Sequence, residues 1–178
     1  MVAGEAAGFE WKRTPPSDIR AGDLVFRKGA GLWTQHFINA STREKRFSHV
    51  GIVVRTSPST VILHADGNEL TGVGNVRLED WQGFFEIASE CAVYRYAGSK
   101  ETARAFASQG LRRLGVPFDP AFDMSSTNAL YCTELIREVV NGAAGTNVIE
   151  HTDLGGYPII AIDDVYRRRF VKVFDSKP

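Results

Sequence analysis

Short apolar runs of strand-forming residues predict strands in the first half of the chain. β-Branched residues concentrate in two runs, residues 49–55 and 60–66, and this composition is typical of strands that line a core. The four residues between the runs are turn formers at hairpin length, so the two strands should pair antiparallel. Further strands are predicted at residues 23–27, 74–77, 91–96 and 170–174.

Apolar residues at helical spacing predict three helices. Residues 32–40 carry three large apolar side chains on one face, and residues 100–114 carry a face of small and apolar residues. Gly115 and the nearby Pro117 provide the end of this second helix. A third helix is predicted from about residue 131 to residue 140. Strands in the middle of the chain, with helices around them, predict an α+β fold with helices packed on an antiparallel sheet.

Length and the position of prolines indicate the domain organisation. A chain of 178 residues with 43% hydrophobic side chains can bury one sizeable core, and domains average roughly 150 residues. The Pro15–Pro16 pair favours extended backbone without strand hydrogen bonds. We therefore predict an extended N-terminal arm at residues 1–21 and a single domain at residues 22–178.

Charge and hydropathy limit the partners that the chain could have. Lysine plus arginine number 21 and aspartate plus glutamate also number 21, so no net positive field would recruit a nucleic acid. The first thirty residues contain no apolar run of signal-peptide or membrane-spanning length. As written, the sequence predicts a soluble, cytoplasmic protein without a transmembrane segment. Removal of a leader would instead predict the cell envelope, so the compartment stays open, as does the oligomeric state.

The two cysteines, Cys91 and Cys132, fit neither a dense disulfide framework nor a Cys-x-x-Cys metal site. Cys91 lies in the alternating segment 91–96 and is predicted to be a reduced, inert packing residue. Cys132 follows a cluster of capping residues at 125–128 and precedes a helical segment. At a helix start, free N–H groups and the helix dipole favour the thiolate. Cysteine is also a common buried apolar residue, however, so this position alone does not establish a nucleophile.

Two histidines strengthen the case for chemistry at Cys132. His49 opens one β-branched strand, where an imidazole adds nothing to packing, and His64 lies on the predicted partner strand. If the hairpin pairs Arg55 with Thr60, His49 faces Asp66 and His64 is its diagonal neighbour on the same face, within about 8 Å. A slip of one residue would move the two histidines to opposite faces.

Metal binding and catalysis are the two explanations for this set of residues. Cys132, His49 and His64 could bind zinc, but zinc needs a fourth ligand and the chain has no close-spaced ligand pair. A cysteine nucleophile, in contrast, needs a base, and that base needs a polar partner to fix its orientation. We therefore predict a cysteine-dependent enzyme without a metal or a cofactor.

Four segments resemble a known family. They are GDLVF at residues 22–26, SHVGIV at 48–53, PFDPAFD at 117–123 and YCTELI at 131–136. In this order they resemble the YiiX/YebB-like family, a circularly permuted branch of the NlpC-type, papain-like cysteine peptidases that is related to lecithin retinol acyltransferase. The resemblance covers residues 22–174, and the combination of four ordered segments is more specific than any one of them.

The resemblance implies a permuted papain-like fold, with an antiparallel sheet or small barrel and packed helices, in which the histidine strand precedes the nucleophile helix. Cys132 matches the nucleophile and His49 the base. His64 matches the third, orienting position, and Asp66 on the same strand face is its rival. Tyr131 and Asp66 are the candidate substrate-binding residues, with Tyr131 either contributing its hydroxyl or forming a wall of the cleft.

The predicted reaction is attack of the Cys132 thiolate on a carbonyl, with an acyl-enzyme that water or an acceptor releases. The pKa of Cys132 is expected to fall from about 8.5 into the range of roughly 3.5–7.5. The family resemblance implies hydrolysis of a cell-wall peptide amide, and lipid acyl transfer or lipid amide and ester hydrolysis is the alternative. A binding module with a relict triad is a third possibility. An apolar cleft would favour lipids, and basic groups placed for a carboxylate would favour peptides.

Overall fold

The structure of the protein is a computed structural model that describes residues 9–126 and 128–177. Within these residues the helices are α1 Glu10–Arg13, α2 Leu32–Ala40, α3 Trp81–Phe85, α4 Lys100–Leu111, α5 Cys132–Ala144 and α6 Ile162–Tyr166. The strands are β1 Leu24–Lys28, β2 His49–Arg55, β3 Val61–Gly67, β4 Gly74–Asp80, β5 Glu90–Tyr96, β6 Thr152–Leu154, β7 Tyr157–Ile159 and β8 Phe170–Asp175.

The main sheet has the strand order β4-β3-β2-β1-β5-β8, and each neighbouring pair is antiparallel. Strands β6 and β7 form a separate hairpin. The predicted pairing of β2 with β3 is confirmed, since Ile52 lies opposite Leu63. Arg55 lies opposite Val61 and not opposite Thr60 as predicted, because the register shifts between Val53 and Arg55 at the turn end of this hairpin. The predicted α+β fold with helices on an antiparallel sheet is therefore confirmed.

The sheet separates two apolar clusters. Helices α4 and α5 contact β2 on one face, where Val50 and Ile52 belong to the larger cluster. The opposite face carries the smaller cluster, which includes Val53 of β2 and the two phenylalanines of helix α3, Phe84 and Phe85. Because successive side chains of a strand point to opposite faces, β2 contributes to both clusters and is buried on both sides.

Helix α5 is fixed by its apolar face and by its C-terminal end. Leu135, Ile136, Val139 and Val140 are buried at the spacing of one helix face. Gly145 ends the helix with φ 65°, a left-handed conformation that glycine adopts without steric cost. Burial of this face against the sheet sets the direction of α5 and so places its first residue at the sheet edge.

The N-terminal segment is partly helical, where an extended arm was predicted. Residues 10–13 form α1, and residues 1–8 of the predicted arm lie outside the described residues. The Trp11 ring packs edge-on against Phe85 at 5.6 Å, and Trp81 Nε1 donates a hydrogen bond to the Trp11 carbonyl at 2.7 Å. Burial of aromatic surface on α3 gives this segment a reason to fold that its prolines do not reveal. No helix in the described part of the chain is long and apolar enough to cross a membrane.

Candidate active site

The ends of three strands meet at one edge of the sheet. Because β1, β2 and β3 are antiparallel, the end of β1, the start of β2 and the end of β3 lie together, and the start of α5 lies against them. A cleft of about 260 Å³ opens at this edge. Its lining includes polar and charged side chains and also aromatic ones. The main members are Arg27, Trp33, Phe37, His49, Asp66, Glu69, Phe118 and Cys132.

Cys132 is the first residue of α5 and is 1% exposed. The backbone N–H groups of Val50 and Thr133 favour the thiolate, but burial outweighs them and raises the pKa of the Cys132 thiol to about 12. The predicted lowering of this pKa is therefore wrong for the cleft as it stands. The prediction considered the helix start and omitted burial, which a local sequence pattern does not reveal.

The two histidine rings of the β2–β3 hairpin are in direct contact. His49 Nε2 lies 2.8 Å from His64 Nδ1, and His64 is fully buried. Both rings also pack against Phe84, with ring centroids at 5.6 and 5.1 Å. Gly51 makes room for this arrangement, since a Cβ there would come within 2.5 Å of Ile62 Cγ2 and 3.2 Å of the Phe84 ring. The register argument thus holds for the two rings, and their catalytic roles stay a prediction.

Glu79 is a member of this network that the sequence analysis did not include. Its Oε2 lies 3.1 Å from His64 Nε2, a close electrostatic contact without the alignment of a regular hydrogen bond. Arg77 donates to Glu79 Oε1 at 3.2 Å and to Asp66 Oδ2 at 3.0 Å. The prediction ended strand β4 at Arg77, whereas the strand continues to Asp80. Arg77 and Glu79 are two residues apart and so lie on the same face of β4. A prediction that extended the strand to Asp80 would have placed Glu79 beside Arg77 on this face.

Burial governs the charge of the two histidines. It lowers the pKa of His49 well below its ordinary value, and the nearby Arg27 guanidinium lowers it further. Burial also lowers the pKa of His64, while the contact with Glu79 opposes this shift. The same contact lowers the pKa of Glu79. At neutral pH the two imidazoles are therefore neutral and the Glu79 carboxylate is ionised.

Asp66 lines the cleft, as expected of a candidate substrate-binding residue. Its carboxylate accepts hydrogen bonds from Arg77 at 3.0 Å and from the Gly67 backbone at 3.1 Å. The partner that contacts His49 is His64. Of the two rivals for the third position, the geometry therefore favours His64.

Tyr131 lies behind Cys132 and away from the cleft surface. It is fully buried, and its hydroxyl accepts a hydrogen bond from the Ile160 backbone at 3.1 Å. Burial also raises the pKa of this hydroxyl. The expectation that Tyr131 lines the cleft is thus corrected, because its position at the start of α5 directs the ring into the core. Its neighbour Glu134 is also buried, which raises the pKa of that carboxyl to about 7.

One wall of the cleft is helix α2, held by a loop residue from the other side. Glu69, between β3 and β4, accepts hydrogen bonds from the backbone N–H groups of Leu32 at 2.6 Å and Trp33 at 3.2 Å. A carboxylate at a helix start is favourable because it meets free donors and the positive end of the helix dipole. The Trp33 ring stacks on Phe118 at 5.2 Å. The stacked rings of Trp33 and Phe118 therefore form an aromatic wall of the cleft, and Glu69 holds the start of α2 in place beside it.

Cys91 lies on β5 opposite Arg27 in the β1–β5 ladder, but it does not belong to the lining of the cleft. It is fully buried in the cluster that contains Phe84 and Phe85, and burial raises the pKa of its thiol. Both Cys91 and Cys132 are free thiols. The structure therefore gives Cys91 the surroundings of a packing residue.

A buried cysteine at a helix start, facing a histidine strand across a cleft in this fold, defines the class of papain-like cysteine hydrolases. The chain belongs to the family described as permuted papain-like amidase enzymes, YaeF/YiiX, C92 family, which matches residues 18–161. The permuted papain-like fold that the sequence resemblance implied is thus confirmed. The protein is a cysteine hydrolase of the amidase type.

Among solved structures, the chain is similar to the metalloprotein YiiX from Escherichia coli O157:H7, with a TM-score of 0.73 and 20% sequence identity. The match covers 89% of this chain and 98% of that chain, and at this identity it supports the fold. No curated protein matches the chain. In residues 9–126 and 128–177 of this protein, no group of three or more histidine, cysteine, aspartate or glutamate side chains is arranged to hold a metal ion.

Proposed function

We propose that this protein is a thiol amidase that acts through a Cys132–His49–His64 triad and an acyl-enzyme, on a cell-wall peptide or a similar amide. One observation carries the proposal. Cys132 and His49 line the same cleft, and the far side of the His49 ring is held by His64 at 2.8 Å. A nucleophile, a base and a residue that orients the base are the parts that acyl transfer by cysteine requires.

We infer the position of each proton from the contacts behind His49. Ionised Glu79 can only accept hydrogen bonds, so the His64 nitrogen that faces it, Nε2, carries the proton. His64 Nδ1 is then an acceptor, and His49 Nε2 donates to it across 2.8 Å. His49 Nδ1 is consequently the free base of the ring, available to the thiol of Cys132.

The reaction follows from these protonation states. Because both Cys132 and His49 are neutral at rest, the thiol proton moves to His49 Nδ1 as the sulfur forms its bond to the amide carbon. Backbone N–H groups at the start of α5 stabilise the oxyanion, and each such donor contributes about 10²–10³ in rate. His49 then gives the proton to the leaving amine as the C–N bond breaks. Water completes the cycle by adding to the thioester, transferring its proton to His49, which returns it to the thiolate as the acid leaves.

The lining of the cleft supports a peptide-like amide over a lipid acyl chain. Trp33, Phe37 and Phe118 provide aromatic surface, but Arg27, Asp66 and Glu69 share the same lining. A strictly apolar lining would suit an acyl chain, and this cleft mixes apolar walls with charged groups. Lipid amide or ester hydrolysis and acyl transfer are the alternatives that substrate tests must separate.

The experiment is incubation of the protein with muropeptides, lipid amides and acyl esters, followed by intact-mass measurement. The expected result is release of an amine from a peptide substrate and, on brief incubation, an acyl adduct on Cys132. Cys132→Ala should lose both adduct and turnover, His49→Ala should lose turnover, and Cys91→Ala serves as the matched cysteine control. Adducts with lipid substrates alone would replace the peptide proposal by the lipid alternative. The absence of any adduct or turnover would favour a binding module with a relict triad.

A further inference from the structure

Arg27 is a buried cation in the cleft that lacks an anionic partner. It is 7% exposed and lies opposite His49 in the β1–β2 ladder. Its Nη1 donates to the Phe84 carbonyl, and its guanidinium carbon lies 4.6 Å from the Phe84 ring centre. Its Nε is buried without a hydrogen-bond partner. Within the described part of the chain, Arg27 forms no ion pair with a carboxylate.

The two carboxylates that line the same cleft are already engaged. Asp66 is bound by Arg77, and Glu69 accepts the backbone N–H groups at the start of α2. Neither forms an ion pair with Arg27, although the charges of Asp66 and Glu79, from a distance, offset part of the cost of burying it. Buried charges in proteins are usually paired, because removing an ion from water without a counter-charge is costly. An unpaired guanidinium in a substrate cleft is therefore a site prepared for an anion.

The chemistry of the guanidinium indicates the kind of anion. Its planar set of N–H donors matches the two oxygens of a carboxylate, and Arg27 shares the cleft with Cys132 and His49. We propose that Arg27 binds a carboxylate of the substrate beside Cys132, so that the preferred substrate is an amide with a free carboxylate close to the bond that is cleaved. This inference rests on the proposed function and names the substrate class of the same site.

The test compares two alkylating reagents of the same size, iodoacetate and iodoacetamide, which differ in charge. The measured quantity is the ratio of their rates at Cys132, relative to the same ratio for free cysteine in the same buffer. In the wild type we expect the iodoacetate-to-iodoacetamide ratio to be at least about ten times the ratio for free cysteine. A charge-assisted hydrogen bond of about 1.5–3 kcal/mol corresponds to a factor of this size. Arg27→Gln should reduce this relative ratio to about one, and the ratio is the readout because the Arg27 charge also acts on the pKa of His49 and of the Cys132 thiol, which changes both rates together.

Arg55→Gln is the matched control, since Arg55 is an exposed arginine at the far end of β2 whose side chain binds only Ser59 among the described residues. It should keep the wild-type ratio. Equal losses with both reagents in Arg27→Gln would overturn the proposal and make Arg27 a residue that supports the thiolate or His49. Wild-type rates with both reagents in Arg27→Gln would overturn it in favour of packing against Phe84. A wild-type Cys132 that fails to react with iodoacetamide would instead count against the proposed function.

A second measurement keeps the proposal testable if Arg27→Gln does not fold. N-Acetylglycine and N-acetylglycinamide differ by one carboxylate, and each can be tested for protection of wild-type Cys132 against iodoacetamide. We expect protection by N-acetylglycine at a concentration about tenfold lower than for the amide, with the difference shrinking at high salt. Equal protection by the two compounds would contradict a carboxylate site.

Discussion

Replacement of Glu79 by glutamine tests the chain of contacts behind His49. The change keeps the size of the side chain and removes its charge. In the wild type, Glu79 Oε2 lies 3.1 Å from His64 Nε2, and His64 Nδ1 lies 2.8 Å from His49 Nε2. In the proposed reaction His49 accepts the thiol proton, and the Glu79 carboxylate would stabilise the new positive charge through this chain. Glu79→Gln should therefore weaken His49 as a base without removing any group that contacts substrate.

The magnitude follows from the two contacts and the width of the ring between them. They place the carboxylate and the His49 charge roughly 8 Å apart, and at an effective dielectric constant near 20 this separation is worth about 2 kcal/mol. That energy corresponds to about 30-fold in rate. Arg77 donates to the same carboxylate at 3.2 Å and offsets part of the field, so we expect kcat to fall about tenfold in Glu79→Gln, with little change in KM.

Arg77→Gln is the matched comparison, because Arg77 hydrogen-bonds the same Glu79 carboxylate and carries the opposite charge. The assay is the pH dependence of Cys132 alkylation by iodoacetamide, alongside kcat on an active peptide amide. Removing the carboxylate should lower the pKa of His49 further, and removing the guanidinium should raise it, since Arg77 itself lowers this pKa. The two variants should thus shift the alkylation profile in opposite directions. A shift in the same direction, or no shift in Glu79→Gln, would refute the relay.

Two further predictions concern residues outside the triad. Cys91→Ala should leave turnover unchanged and cost about 1 kcal/mol of unfolding free energy in urea, because Cys91 fills buried space on β5. Glu134 has a pKa raised to about 7, so the folded state holds its proton more strongly than the unfolded chain does. The Glu134 contribution to stability should therefore be lost as pH rises from about 4.5 to about 7, by up to about 3 kcal/mol. The lowered pKa values of His49 and His64 act in the opposite direction below about pH 6.5, so the measured quantity is the difference in urea-unfolding free energy between the wild type and Glu134→Gln. The wild type should lose stability relative to Glu134→Gln between pH 5 and pH 8, and a difference that does not change with pH would contradict the second prediction.

Local patterns were sufficient for the elements that carry the proposed triad. The β-branched run from His49 to Arg55 predicted β2 to the residue, because a strand buried on both faces has few polar positions to blur its bounds. The hairpin turn then set the register that brought His64 next to His49. Helix α5 was predicted from its apolar face, and the structure starts it at Cys132.

Local sequence patterns could not predict the contacts between segments that are distant in the chain. Glu79 reaches His64 because β4 pairs with β3 along its whole length, and Arg27 lies opposite His49 because β1 crosses to β2 after helix α2. Neither pairing has a short turn that fixes its register in the sequence. The high pKa of Cys132 has the same origin, since burial of the thiol results from the packing of α5 on the sheet.

Of the two arginines near His49, Arg77 is paired with carboxylates and Arg27 is not. Arg77 is paired with both Asp66 and Glu79, so the network behind His49 has a net negative charge. Arg27, on the other side, is unpaired and lowers the pKa of His49. A carboxylate bound to Arg27 would neutralise that charge and raise the pKa of His49 when substrate enters the cleft. On this reasoning the neutral resting pair of Cys132 and His49 is compatible with catalysis, because the substrate would itself strengthen the base that activates the thiol.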